Sequence, residues 1–137
     1  MPRNGPNSLR MHAMIEPIMA LVFIIAPFVL DYDDSTAKWL SVAIGAVMLV
    51  VGMTTRWRWS LVKLIPLSMH FAGDVAIGVI AIAAPFVLGF SDETAPTVVF
   101  VVLGIGELGA ALGTAWRAED GRVHTAAEPS RTAPLSG

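Results

Sequence analysis

Residues 11–30 read MHAMIEPIMALVFIIAPFVL, and residues 69–88 read MHFAGDVAIGVIAIAAPFVL. Eight of these twenty aligned positions are identical, at an offset of 58 residues. The shared residues are not only apolar: Met11-His12-x-x-x-Glu16 returns as Met69-His70-x-x-x-Asp74, and Ala26-Pro27-Phe28-Val29-Leu30 as Ala84-Pro85-Phe86-Val87-Leu88. A histidine, an acid and a proline at matched places mark an internal duplication, not two similar oily runs. Twenty apolar residues is also the length of helix needed to cross a hydrocarbon core about 30 Å thick.

Two further runs have that character. The four predicted spans are Met11–Leu30, Thr36–Thr55, Leu67–Leu88 and Thr97–Thr114. None alternates as a barrel strand does, and a helix is the way one segment satisfies its own backbone in lipid. The 137-residue chain is 55% hydrophobic and 15% charged, outside the range of a soluble domain of this size. Its net charge of -2 implies no pull toward nucleic acid. With no cysteine, disulfides and thiolate chemistry are excluded. The first span is longer than a signal-peptide core and no small-residue cleavage site follows it, so it is expected to be retained.

Charge sets the expected direction of insertion. Asp31-Tyr32-Asp33-Asp34-Ser35 and Ser91-Asp92-Glu93 form short acidic turns. Eight of the nine Lys and Arg residues fall on the other side; only Lys38 does not. The positive-inside rule then puts both termini and the middle loop in the cytoplasm of a cell-membrane protein. Trp39, Trp57, Trp59 and Trp116 sit at predicted helix ends, where an aromatic belt is expected.

The predicted fold is an all-α membrane protein: four transmembrane helices from two tandem two-helix repeats, related by a pseudo-twofold axis along the membrane normal. Residues 1–10 form a polar segment, 11–56 repeat 1, 57–66 a basic and aromatic connector, 67–117 repeat 2 and 118–137 a polar, disordered tail. The connector reads as an interfacial helix or as the first turns of helix 3. In the second helices, Gly45, Gly52 and Arg56 match Gly106, Gly113 and Arg117 at an offset of 61, giving repeat 2 a longer turn.

With these residues in view, the chain resembles the SPW-repeat family of small bacterial and archaeal membrane proteins, whose Ser-Pro-Trp motif lies in the first of two transmembrane helices per repeat. The matching positions here are Ala26-Pro27-Phe28 and Ala84-Pro85-Phe86, so serine and tryptophan are replaced in both copies. The resemblance covers about Arg10 to Arg117. It implies membrane location and repeat architecture, and brings no defined activity.

Chemistry is expected where ionisable groups enter the bilayer. His12 with Glu16, and His70 with Asp74, are four apart and share a helix face. Glu107 lies near the middle of helix 4. Four readings of this cluster stand: a polar network joining helices; a divalent metal site, although carboxylate bundles favour Glu-x-x-His; a proton or ion pathway; and haem between the histidines. Pro27 and Pro85 free the carbonyls of Phe23 and Ala81, either to shape the turn or to hold a ligand. Gly106-x-x-x-Ala110 and Gly109-x-x-x-Gly113 offer a close-packing face, within the chain or toward a second copy or larger complex. Gly104-x-Gly106-x-x-Gly109 lacks the strand that a dinucleotide fingerprint requires, and no motif specifies a cofactor, a catalytic residue or a metal. His124, in the tail, has no evident partner. The expected role is structural or accessory, with the bilayer and a homo-oligomer or larger membrane complex as partners. A small transporter is the alternative and a metal or haem protein the third.

Overall fold

The computed structural model describes residues 1–58 and 60–116. The expectations for Trp59, Arg117, Arg122, His124 and the tail lie outside them. Four helices follow one another: α1 (Leu9–Val29), α2 (Ser35–Thr54), α3 (Leu67–Val87) and α4 (Thr94–Gly113). Each has 20 or 21 residues and is apolar enough to cross a membrane. At 1.5 Å per residue that is about 30 Å, the thickness to be crossed. Large apolar side chains such as Ile18, Ile25, Val50, Val79 and Val102 point outward, while the interior holds Ala20, Phe23, Ala81 and Phe100. That distribution suits a solvent of lipid tails, in which close packing rather than hydrophobic burial joins the helices.

Consecutive helices pair as hairpins, α1 with α2 and α3 with α4, and the hairpins then dock. Each hairpin is drawn tight by one glycine. Gly45 lies against the Ala20 carbonyl, and a Cβ placed on Gly104 would stand 2.9 Å from the Gly78 oxygen. Of the glycines expected to pack, Gly106 meets α1, where a Cβ on it would stand 3.3 Å from the Met19 methyl. Gly106 and Gly109 are exposed; Gly109 has open space beside it, and Gly113 faces Asn7 and Pro6. The inward face of α4 runs through Phe100, Gly104, Glu107 and Ala111, which turns Gly109 and its neighbour Ala110 away from the crossing.

Gly45 and Gly104 are 59 residues apart, as are the starts Ser35 and Thr94 and the ends Thr54 and Gly113. This corrects the offset of 61 read from glycines and arginines: the second turn is longer by one residue, not three. Both turns use the same stop. The C-caps are Leu30 and Leu88, followed by left-handed Asp31 (φ 50°) and Gly89 (φ 82°). Tyr32 and Phe90 then donate their amides to Pro27 and Pro85 carbonyls at 3.0 Å, the bond that closes a Schellman motif. The Pro of each repeat therefore sits in the last turn, and the Phe23 carbonyl freed by Pro27 is taken by the Ser41 hydroxyl at 2.6 Å.

At the opposite end the connector forms no helix among its described residues, and α3 starts at Leu67 after an N-cap Pro66. Both helical expectations for it are thus replaced by a folded loop: Leu61 and Val62 donate to the Met53 carbonyl, Leu64 and Ile65 to that of Thr54. These bonds satisfy the carbonyls that the end of α2 leaves open. Thr55 bridges to Ile65, and the equivalent seam joins β1 (Asn7–Ser8) in parallel to β2 (Thr114–Ala115). The first ten residues are therefore not a separate polar segment.

The acidic turns are clamped together. Glu93 accepts from the amides of Asp33 (2.8 Å) and Asp34 (3.0 Å), while Asp34 caps α2 through Ala37. Glu93→Ala is expected to lower stability by roughly 1–2 kcal/mol, read as a lower detergent melting temperature. Beside the clamp, the Tyr32 hydroxyl is buried without a hydrogen-bond partner among the described residues. Burial, then the Glu93 charge, pushes its pKa up to about 12 from 10.0. The unfolded chain loses this proton first as pH rises, so stability should fall between about pH 10 and 12. Tyr32→Phe, which restores the residue type of Phe90, should remove that part of the fall and keep stability at neutral pH. Paired melts of the two proteins across that range measure the difference.

Candidate functional site

The duplicated His-x-x-x-acid segments meet at the end of the bundle that carries the seams. α1 supplies His12 and Glu16, α3 supplies His70 and Asp74, and all four are at most 3% exposed. The contacts cross between repeats as well as staying within them. His12 Nε2 lies 3.2 Å from Asp74 Oδ2, and His70 Nε2 lies 3.2 Å from Glu16 Oε2. Within each helix the separations are 4.0 Å for His12 and Glu16 and 3.3 Å for His70 and Asp74. Glu107, 1% exposed, adds a third carboxyl within the electrostatic reach of Asp74 and Glu16. The structure therefore brings together all five polar residues singled out in the sequence.

The far side of each ring is fixed by a residue the sequence reading passed over. Thr55 Oγ1 lies 2.7 Å from His70 Nδ1, and Thr114 Oγ1 lies 3.2 Å from His12 Nδ1. A hydroxyl has one proton to give. Thr55 gives it to the Val51 carbonyl at 2.7 Å and Thr114 to that of Ala110 at 2.6 Å. With the hydroxyl hydrogen so used, each threonine oxygen accepts from the Nδ1–H tautomer of its histidine, the tautomer that a metal on Nε2 would require. Nε2 is left facing the carboxylates on both rings.

The rings are walled by tryptophan. Trp57 lies 4.5 Å from His70, and Trp116 lies 4.8 Å from His12, ring centre to ring centre. Both indoles are buried, with Leu9 beside them. That corrects the belt expectation for Trp57 and Trp116; Trp39, 62% exposed, retains the outward position a belt residue needs. The signal for these residues was present as Thr55-Arg56-Trp57 and Thr114-Ala115-Trp116, which align only at the offset of 59.

What remains open is the centre. Both Nε2 atoms, both Glu16 oxygens, Asp74 Oδ2 and Glu107 Oε1 are buried with no hydrogen bond among the described residues. The contacts above have ion-pair reach but not hydrogen-bond geometry, and charge-assisted N–H···O bonds run shorter, about 2.7–2.9 Å. One donor atom each from His12, His70 and Asp74 lies within 4.8 Å of the others. Ligands bound tetrahedrally at 2.0–2.1 Å stand about 3.3–3.4 Å apart. Three of the four spacings, 3.2–3.3 Å, come near that edge, with Asp74 reaching His12 and His70 through different oxygens, while His12 and Glu16 are wider apart at 4.0 Å.

The SPW repeat domain profile matches residues 10–114, which takes in both histidines, all three acids and both threonines. The chain belongs to the SPW repeat family. No curated protein and no solved structure matches it. In this SPW repeat protein the tripeptides at the family motif's position, Ala26-Pro27-Phe28 and Ala84-Pro85-Phe86, build the helix stops and lie away from the polar centre. Ala26, Pro27, Ala84 and Pro85 are buried, while Phe28 and Phe86 are 58% and 64% exposed.

Thr55→Val keeps the shape of the site but leaves the Nδ1 hydrogen of His70 buried without an acceptor. A loss of about 1–3 kcal/mol is expected, measured by detergent unfolding, with Thr55→Ser recovering most of it.

Proposed function

We propose that this SPW repeat protein is a membrane-embedded metal-binding protein, holding one divalent transition-metal ion where its two repeats meet. The observation that carries the reading is the pair of histidine Nε2 atoms facing carboxylate oxygens at 3.2 Å with no hydrogen bonds between them, each ring held at Nδ1 by a threonine. Imidazole with carboxylate suits zinc, iron or manganese. Glu16 and Asp74 supply two negative charges for a divalent ion, and the threonines act as the outer hydrogen-bond partners that metal-binding histidines use. Haem is a poorer fit: the histidine ring centres are only 5.6 Å apart, and a haem iron between two axial nitrogens needs room for the macrocycle.

A purely structural or accessory role uses the same residues as helix glue. Interhelical hydrogen bonds in membranes average about 0.6 kcal/mol, whereas a buried unsatisfied polar atom costs about 1–3 kcal/mol. Six such atoms in one cluster make poor glue and a good ligand set. A conduction role needs a continuous polar path. Outward from the cluster, the packed interior is Phe23, Phe100 and Phe90 with Tyr32, which gives that reading little support. In this proposal the centre lies on the cytoplasmic side of the cell membrane, a reading that the basic helix ends support.

Protein purified in mild detergent and loaded with Zn(II), Fe(II) or Mn(II) is expected to retain about one ion per chain. His70→Ala should abolish retention, and Thr55→Val should weaken it about 10–100-fold. Folded wild-type protein that retains none of the three ions overturns the proposal.

A further inference from the structure

The two halves of the centre are not equivalent, and the difference is concentrated in one place. A half-enclosed pocket opens between α1 and α2 and ends on Glu16. Its volume for the centre of a water-sized molecule is about 30 Å³, above the ~10–15 Å³ that one water requires.

The repeat shows why the pocket exists. Ala13 lines it, where repeat 2 has Phe71, whose ring packs on Trp116 at 5.6 Å. Gly52 lines it, where repeat 2 has the buried Ala111. A Cβ on Gly52 would stand 3.2 Å from Glu16 Oε1 and 3.3 Å from Oε2. Met48 takes the place of Glu107, so the wall on this side is apolar apart from Glu16 itself. Two small residues have thus opened, on one side only, a space that two larger ones fill on the other. Both Glu16 oxygens lack hydrogen-bond partners among the described residues, and Glu16 lines that space.

We infer that this pocket binds a small neutral molecule, no larger than about two heavy atoms, as an exogenous ligand to the metal ion beside Glu16. The inference rests on the metal reading. The apolar wall disfavours a charged ligand, and the Glu16 carboxylate repels an anion. Three donors within 4.8 Å, His12, His70 and Asp74, resemble the three-ligand sets that keep one position open. Of the centre's residues only Glu16 lines the pocket, so a ligand there would take the metal's remaining position where Glu16 gave it up.

Nitric oxide on Fe(II)-loaded protein is the probe. Wild-type protein should give the electron paramagnetic resonance signal of an iron–nitrosyl adduct. Gly52→Ala and Ala13→Phe each put atoms into the pocket. Both variants should keep one iron per chain and bind nitric oxide at least tenfold more weakly. Equal nitrosyl formation in wild type and both variants overturns the pocket and leaves the metal reading standing. Loss of iron from both variants also overturns it, because the positions would then support the ligand set itself. Wild-type protein that takes up no iron, zinc or manganese overturns the metal reading and this inference with it.

Discussion

Two imidazoles and two carboxyl groups face one another in the buried interior of the bundle, and the residues near them hold them there. Ionisable groups at that depth are costly. α3 and α4 contain no lysine or arginine, so the sequence of those spans offers the acids no strong permanent cation. The bundle answers with geometry. Threonines at the ends of α2 and α4 orient the rings, tryptophans from the seams cover them, and the glycine crossings bring the second helix of each repeat close enough for this to happen. The two hairpins meet here, through the Phe23–Phe100 packing, and again at the Glu93 clamp.

Much of that was legible in the chain. Span number follows from length and hydropathy alone. The five polar residues stood out because each is costly in lipid, and the repeat put His12 beside His70 and Glu16 beside Asp74 at equal depth. What the sequence hid was register. Gly106 and Gly113 gave a tidy match to Gly45 and Gly52, but small residues are so common in membrane helices that a wrong alignment costs nothing. Thr55 and Thr114 could be recognised only with the right offset, and a threonine at a helix end has an ordinary explanation in its bond to the carbonyl four residues back. The tryptophans misled for a related reason: a position at a helix end is equally consistent with facing lipid headgroups and with folding inward over a ring. The loop between α2 and α3 is another such case, since its mix of Trp, Arg and Leu fits an interfacial helix while its amides are claimed by the open carbonyls of α2.

Departures from the repeat are as informative as the repeat. Where the two units agree, they agree on turn geometry, crossing glycine, ring orientation and donor type. Where they differ near the centre, Ala13 against Phe71, Gly52 against Ala111 and Met48 against Glu107, the change is in volume or polarity on one flank. Duplicated folds that keep a symmetric ligand set while altering one side have a ready way to bind something asymmetric without disturbing the set itself.

The two seams have a consequence for how such a centre is put together. Thr55 with Ile65, and Asn7–Ser8 with Thr114–Ala115, are the same contact made twice. One is spanned by the connector; the other joins segments from opposite ends of the chain. Each unit owns one histidine with an acid on the same helix, one threonine and one tryptophan, and the second adds Glu107. Two separate two-helix chains would have to find each other in the bilayer to complete the centre, and the outcome would depend on their abundance. A single covalent crossing makes that meeting intramolecular, so assembly becomes independent of dilution, and each half becomes free to diverge without having to fit a copy of itself.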